Sequence, residues 1–175
     1  MSQPRNKSPE EQVDLIDAEN RVVGQAARQR VRSENLLHRG VAILVTNARH
    51  EVYVHQRTAT KDLFPSYYDM FVGGVVAAGE TYERSAVREL AEELGIAAAA
   101  EPELMFEHLY EGPENRSWIR AFRVEWNGPI RHQPEEVAWG EWIPLADLES
   151  WAREHPIVPD GLEVFQRYLE WSRSR

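Results

Sequence analysis

Residues 74–96 read Gly-Val-Val-Ala-Ala-Gly-Glu-Thr-Tyr-Glu-Arg-Ser-Ala-Val-Arg-Glu-Leu-Ala-Glu-Glu-Leu-Gly-Ile, and this run constrains the chain more than any other. A glycine-bearing turn leads into a helix. Thr81 is placed to cap its start, and Gly95 to end it after Leu94. Glu89, Glu92 and Glu93 follow an i, i+3, i+4 spacing. At about 100° per residue they share a narrow arc of the helix surface. Like charges at that spacing repel, so the helix gains nothing from them unless a cation sits between them. Hard carboxylate oxygens suit Mg²⁺ or Mn²⁺. Ala86, Val87, Leu90 and Leu94 flank the arc and can anchor the helix to a sheet while the carboxylates face a cleft. Arg88 can reach Glu80 and orient the neighbouring carboxylates.

The rest of the chain narrows the class. Its 175 residues suit one domain with a full core. A composition of 42% hydrophobic and 28% charged residues is that of a soluble globular protein. No apolar run approaches the roughly 18 residues a membrane span needs. The polar N-terminus has no signal-peptide core, which makes the cytoplasm the default. Without cysteine there are no disulfides and no thiolate metal sites. A net charge of −9 argues against a nucleic-acid partner. A metal and a few arginines can still focus positive charge on a small anionic substrate.

The periodicity predicts a disordered tail over 1–12 and a single domain over 13–175. Segments 13–17 and 21–25 form a hairpin, and a helix starts at Ala26. Strands are expected at 41–46, 51–57, 70–76, 104–110, 118–126 and 139–143. Pro144 opens a helix to about His155, and residues 160–172 form an amphipathic helix on Leu162, Phe165 and Leu169. This order of elements gives an α/β fold with a mixed sheet between helices.

The run at 74–96 resembles the Nudix box, Gly-x5-Glu-x7-Arg-Glu-U-x-Glu-Glu-x-Gly-U with U aliphatic. Gly74, Glu80, Arg88, Glu89, Leu90, Glu92, Glu93, Gly95 and Ile96 fill its fixed positions. The resemblance implies a Nudix α/β/α sandwich, here with an N-terminal hairpin extension. It also implies a metal site made of the Gly74 carbonyl, Glu89, Glu92 and Glu93, with Mg²⁺ or alternatively Mn²⁺ as cofactor. Such a metal neutralises a diphosphate and makes a bound water acidic, so the expected reaction is hydrolysis of a nucleoside diphosphate linked to another group. Glu92 or Glu93 can take the water proton. Some family members use a carboxylate from a later loop. Glu135 and Glu136 are the loop candidates, and Glu136 is preferred because Val137 and the next strand would fix it.

The flank Lys61-Asp-Leu-Phe-Pro-Ser-Tyr-Tyr-Asp-Met-Phe-Val-Gly-Gly is similar to that of the isopentenyl-diphosphate isomerase-like Nudix group. The isomerases need a cysteine and a glutamate facing the substrate. Val72 stands about where that cysteine would be, and the corresponding strand, Arg116-Ser-Trp-Ile-Arg-Ala-Phe, has no acid. The fold of the group is therefore expected without its isomerase chemistry. Arg57 and Lys61 are candidates to hold phosphate oxygens, with ion pairing as the alternative use. Tyr67, Tyr68 and Trp118 are candidates to stack on a base, although core or dimer packing is the more usual role of such aromatics and is favoured for them. His38 matches a metal-binding histidine of the isomerases, but without that residue's partners it is expected to be structural or to support a ligand from behind. Three readings remain: a Nudix pyrophosphohydrolase, a prenyl-diphosphate isomerase, and a non-catalytic nucleotide-binding domain. The intact carboxylates favour the first. The hairpin and the aromatic content suggest a homodimer.

Overall fold

The computed structural model describes residues 8–97 and 100–175. Residues 1–7, most of the expected tail, lie outside the described residues. The tail ends sooner than expected. Arg28 N–H donates to the Glu11 carbonyl at 2.8 Å and Gln29 N–H to that of Pro9 at 3.0 Å. Strand β1 begins at Gln12 (Gln12–Ile16) and pairs antiparallel with β2 (Val22–Ala27). The hairpin turn is closed by Asp17, whose Oδ1 accepts from the N–H groups of Glu19 and Arg21. Ladder pairing carries β2 to Ala27, so helix α1 (Arg28–Ser33) starts later than Ala26.

The core strand β3 (His38–Thr46) runs parallel to β8 (Arg116–Glu125), and β8 pairs antiparallel with β7 (Glu103–Glu111). The other edge of β3 takes β6 (Val72–Val75), in antiparallel register from Gly40↔Val75 to Ile43↔Val72. Strand β4 (Glu51–Arg57) carries β5 (Tyr68–Asp69) and β9 (Val137–Pro144). Between β3 and β4 only the Thr46↔Val52 pair is registered, so the two strands part beyond their hairpin. The chain crosses that opening at Met70 and Phe71. Asp69 Oδ1 accepts from Phe71 N–H at 3.0 Å, and the strand expected over 70–76 is confined to β6, with β5 a separate short strand before it.

The period of two along β3 sorts the core. Val41, Ile43 and Val45 face helix α2 (Tyr82–Leu94) and pack with Ala86, Leu90 and Leu94. Ala42 and Leu44 face the opposite layer, where α3 (Leu148–Arg153) and α4 (Pro159–Arg173) bring Leu148, Val164, Phe165 and Tyr168. The molecule is an α/β/α sandwich. Thr81 caps α2 by accepting from Arg84 N–H at 3.2 Å, and Gly95 ends it at φ 65°. The helix expected to open at Pro144 does not. Pro144 is the last residue of β9, and Leu145 N–H donates to the His50 carbonyl at 3.0 Å. That tie holds the chain to the β3–β4 turn through a short 3-10 stretch before α3 begins.

Candidate active site

The sheet-facing side of α2 is not purely apolar. Glu89 is 1% exposed and Glu93 6% exposed, level with Leu90 and Leu94. Burying carboxylates demands compensation, and Arg88 supplies it. Its Nε and Nη2 grip the two oxygens of Glu80 at 2.9 and 3.0 Å, while Nη1 reaches Glu89 at 2.8 Å and Glu92 at 3.3 Å. Burial by itself lowers the Arg88 pKa, but the bonds to Glu80 and the charge of Glu89 outweigh it and push the pKa up. Glu80 in turn accepts from Ala77 N–H at 3.2 Å and ties the preceding turn to the helix. Gly74 has no side chain for a steric reason: a Cβ there would overlap the Glu89 carboxylate.

Beside this cluster lies a cavity on the α4 side of the sheet. Glu93 belongs to a helix on the other side, yet it lines the cavity. The parting of β3 from β4 explains how. Its rim carries Gly73 and Gly74 from β6 and His55 from β4, and His55 Nε2 lies 3.9 Å from Glu93 Oε2. Arg57 and Lys61 also line the cavity. Arg57 Nε donates to the Leu63 carbonyl at 3.1 Å, and Lys61 Nζ donates to Glu136 Oε2. The loop bearing Glu135 and Glu136 is pinned to the end of α2: Arg131 and Gln133 donate to the carbonyls of Leu94 and Glu93 at 2.9 and 3.1 Å. Tyr68 does not line the cavity. Its ring makes edge contacts with Trp139, Trp151 and His155 at 5.8, 5.2 and 5.1 Å, which is packing rather than a free stacking face. Val72 is 1% exposed and packs on the α2 side, so it does not face the cavity either.

Among the described residues no three His, Asp or Glu side chains are already gathered into a metal cluster. The carboxylates of Glu89 and Glu92 are turned onto Arg88 instead. The donor set nevertheless fits a hard divalent cation. All its side chains are carboxylates, they occupy one face of α2, and the missing Cβ at Gly74 leaves its backbone against Glu89.

Several cavity residues carry no signal in the box. Arg28 and Arg32 come from α1, one turn apart, Asn115 and Ser117 from the start of β8 and the turn before it, Asp69 from β5 and Asp160 from the first turn of α4. Burial, reinforced by Arg28, lowers the Arg32 pKa. Burial also holds His38 at about 4, so its ring is neutral at physiological pH. Burial and the nearby Asp160 push Asp69 up to about 8, and burial raises Asp160 as well. The i, i+4 pair Arg28/Arg32 was open to recognition in the sequence, because Val31 is the only buried side chain between them. Asp69 and Asp160 become neighbours only through the fold.

Residues 36–168 match the family model described as NUDIX domain. An uncharacterized Nudix hydrolase of Streptomyces coelicolor is 44% identical over 165 residues, covering 94% of this chain and 91% of the relative. One of Pseudomonas aeruginosa is 38% identical over 170 residues, covering 95% and 98%. Among solved structures, the crystal structure of DR0079 from Deinococcus radiodurans is similar with a TM-score of 0.77. It is 27% identical, with 90% of this chain and 98% of that chain covered.

Proposed function

The chain belongs to the Nudix family of hydrolases, and from that premise we propose that it is a Mg²⁺-dependent pyrophosphohydrolase that splits the diphosphate bond of a nucleoside diphosphate linked to another group. The observation that carries this reading is the position of Glu93, which passes from the box helix through the opening between β3 and β4 into a cavity that Arg28, Arg57 and Lys61 also line. One wall offers carboxylates for a cation and another offers cations for phosphate oxygens.

Glu89, Glu92, Glu93 and the Gly74 carbonyl would hold the metal. When bound, the ion supplies positive charge to the diphosphate and makes a water acidic enough to react at neutral pH. Arg57 and Lys61 orient the phosphate oxygens. The water oxygen bonds to phosphorus, the bridging P–O bond breaks, and the water proton passes to a carboxylate. Glu93 is the favoured acceptor because it lines the cavity. Glu136 is held by Lys61 and serves better to steady that lysine, although release of the pair would let it act as base. Arg88 keeps the carboxylates aimed.

The test is phosphate release after phosphatase coupling across nucleotides, nucleotide sugars, dinucleotides and coenzyme A. We expect cleavage of at least one diphosphate compound with Mg²⁺ and none in excess EDTA. Isopentenyl diphosphate, included in the same panel, is expected to stay unisomerised. Ser117 and Ile119 face the cavity where the isomerases need an acid, and the chain has no cysteine. Allylic deuterium exchange seen by NMR that depends on the enzyme and survives in Glu93→Gln overturns the hydrolase reading.

We further propose a cytoplasmic homodimer. The edge strand β2 supports it, since Val22 and Val23 are 49% and 66% exposed. Sedimentation at micromolar concentration should give twice the chain mass of 20.2 kDa. A single species at one chain mass removes the dimer from the proposal.

A further inference from the structure

The hydrolase reading leaves part of the cavity without a task. On the α4 face of the sheet, β3 and β8 run in parallel register with His38 beside Ser117. Both are 3% exposed, and both line the cavity. His38 Nδ1 lies 2.8 Å from the Leu36 carbonyl. A carbonyl only accepts, so Nδ1 carries the proton and Nε2 is left as an acceptor. Among the described residues no side-chain hydrogen bond is made by that nitrogen or by Ser117 Oγ. The hydroxyl lies over Gly40, where a Cβ would overlap it. An acceptor and a hydroxyl, each on a buried residue that lines the cavity, therefore sit side by side.

The adjoining wall is formed by Asp69 and Asp160. Asp160 is fixed from behind, since Gly161 N–H and Asn115 Nδ2 each donate to it at 3.1 Å. Asn115 also accepts from Arg32 Nη1 at 3.5 Å and so links this wall to the arginines of α1. Asp69 is fixed by Phe71 N–H. Each carboxyl group keeps lone pairs for a ligand.

We propose that this part of the cavity is a subsite for an uncharged, hydroxyl-rich group of the substrate, a pentose or hexose carried on the diphosphate, held by His38 Nε2, Ser117 Oγ and the carboxyl groups of Asp69 and Asp160. The inference rests on the hydrolase reading for the diphosphate and on the cavity itself for the sugar. The wall mixes acceptors with donors, since Arg57 lies near both carboxyl groups and Arg32 near His38 and Asp160. A sugar hydroxyl, which both donates and accepts, suits such a wall. The raised pKa of Asp69 adds one proton that a sugar oxygen can accept. An apolar group of the same size meets neither His38 Nε2 nor Ser117 Oγ nor the spare lone pairs of the two carboxyl groups, and a polar site rejects such a ligand strongly.

The test compares ADP-ribose and UDP-glucose with ADP methyl ester, which keeps the esterified diphosphate and drops the sugar. With Mg²⁺ the wild type should cleave at least one sugar compound with a kcat/KM roughly 100-fold above that of the methyl ester. Ser117→Ala and Asp160→Asn, each checked for an unchanged melting temperature, should cut that ratio about tenfold, mainly through KM. Equal cleavage of sugar and methyl compounds, or a ratio unmoved in both variants, overturns the subsite and leaves the hydrolase reading standing. If the wild type cleaves nothing, calorimetric titration of ADP-ribose and of ADP methyl ester into Glu93→Gln decides. Tighter binding of ADP-ribose that is lost in Glu93→Gln/Ser117→Ala supports the subsite while the hydrolase reading falls. Equal or absent binding rejects the subsite.

Discussion

Replacing Glu93 by glutamine should lower kcat roughly 10³-fold, equivalent to about 4 kcal/mol of transition-state stabilisation. The substitution keeps the shape of the side chain and removes one charge. That charge is the box carboxylate that lines the cavity, so both metal affinity and proton acceptance should suffer. Folding should not, because glutamine can still contact His55 across the 3.9 Å that separates it from the carboxylate. Two measurements separate these effects. Thermal unfolding should move by no more than a few degrees, and Mn²⁺ titration followed by electron paramagnetic resonance should show weakened binding. A rate within a few-fold of wild type at limiting Mg²⁺ removes Glu93 from the site.

The largest effect on stability is expected from Arg88→Ala in the absence of metal. Three carboxylates lean on this guanidinium, and their side chains are between 1% and 13% exposed. Taking away one partner of a buried ionic cluster costs about 3–5 kcal/mol, because the remaining charges lose their compensation. For a chain of this length that is a fall of roughly 10 °C in melting temperature. Saturating Mg²⁺ should restore part of the loss, since a cation among Glu89, Glu92 and Glu93 replaces some of the missing charge. Arg88→Lys should recover less than half, because an ammonium cannot reproduce the two-pronged grip on Glu80. Calorimetry in EDTA that finds Arg88→Ala within 1 kcal/mol of wild type would contradict this account of the cluster.

The helix that carries the box was legible in the sequence almost to the residue. Its cap, its left-handed end and its apolar flank are local features, set by Thr81, Gly95, Leu90 and Leu94. The strands around it were legible because period-two burial leaves a mark, as on Val41, Ile43 and Val45. Three things were not. Tyr68 looked like a stacking face, but tertiary contacts with Trp151 and His155 occupy its ring. Pro144 looked like a helix start, but pairing with Glu51 holds it in a strand. Asp69 and Asp160 are far apart in the chain and belong to different elements. The push of Asp160 on the ionisation of Asp69 depends on α4 docking beside β5, and no local pattern encodes that.

The opening between β3 and β4 has a consequence for how such a chain can change over generations. It lets one helix deliver a reactive group through the sheet into a chamber whose remaining walls come from α1, β5, β8 and α4. On the proposed function, breaking the diphosphate and choosing what it carries fall to different stretches of polypeptide. Mutations outside the box can then retune diet while the cutting edge stays sharp. Descendants of one ancestor can then keep an identical box and no longer compete for the same molecule.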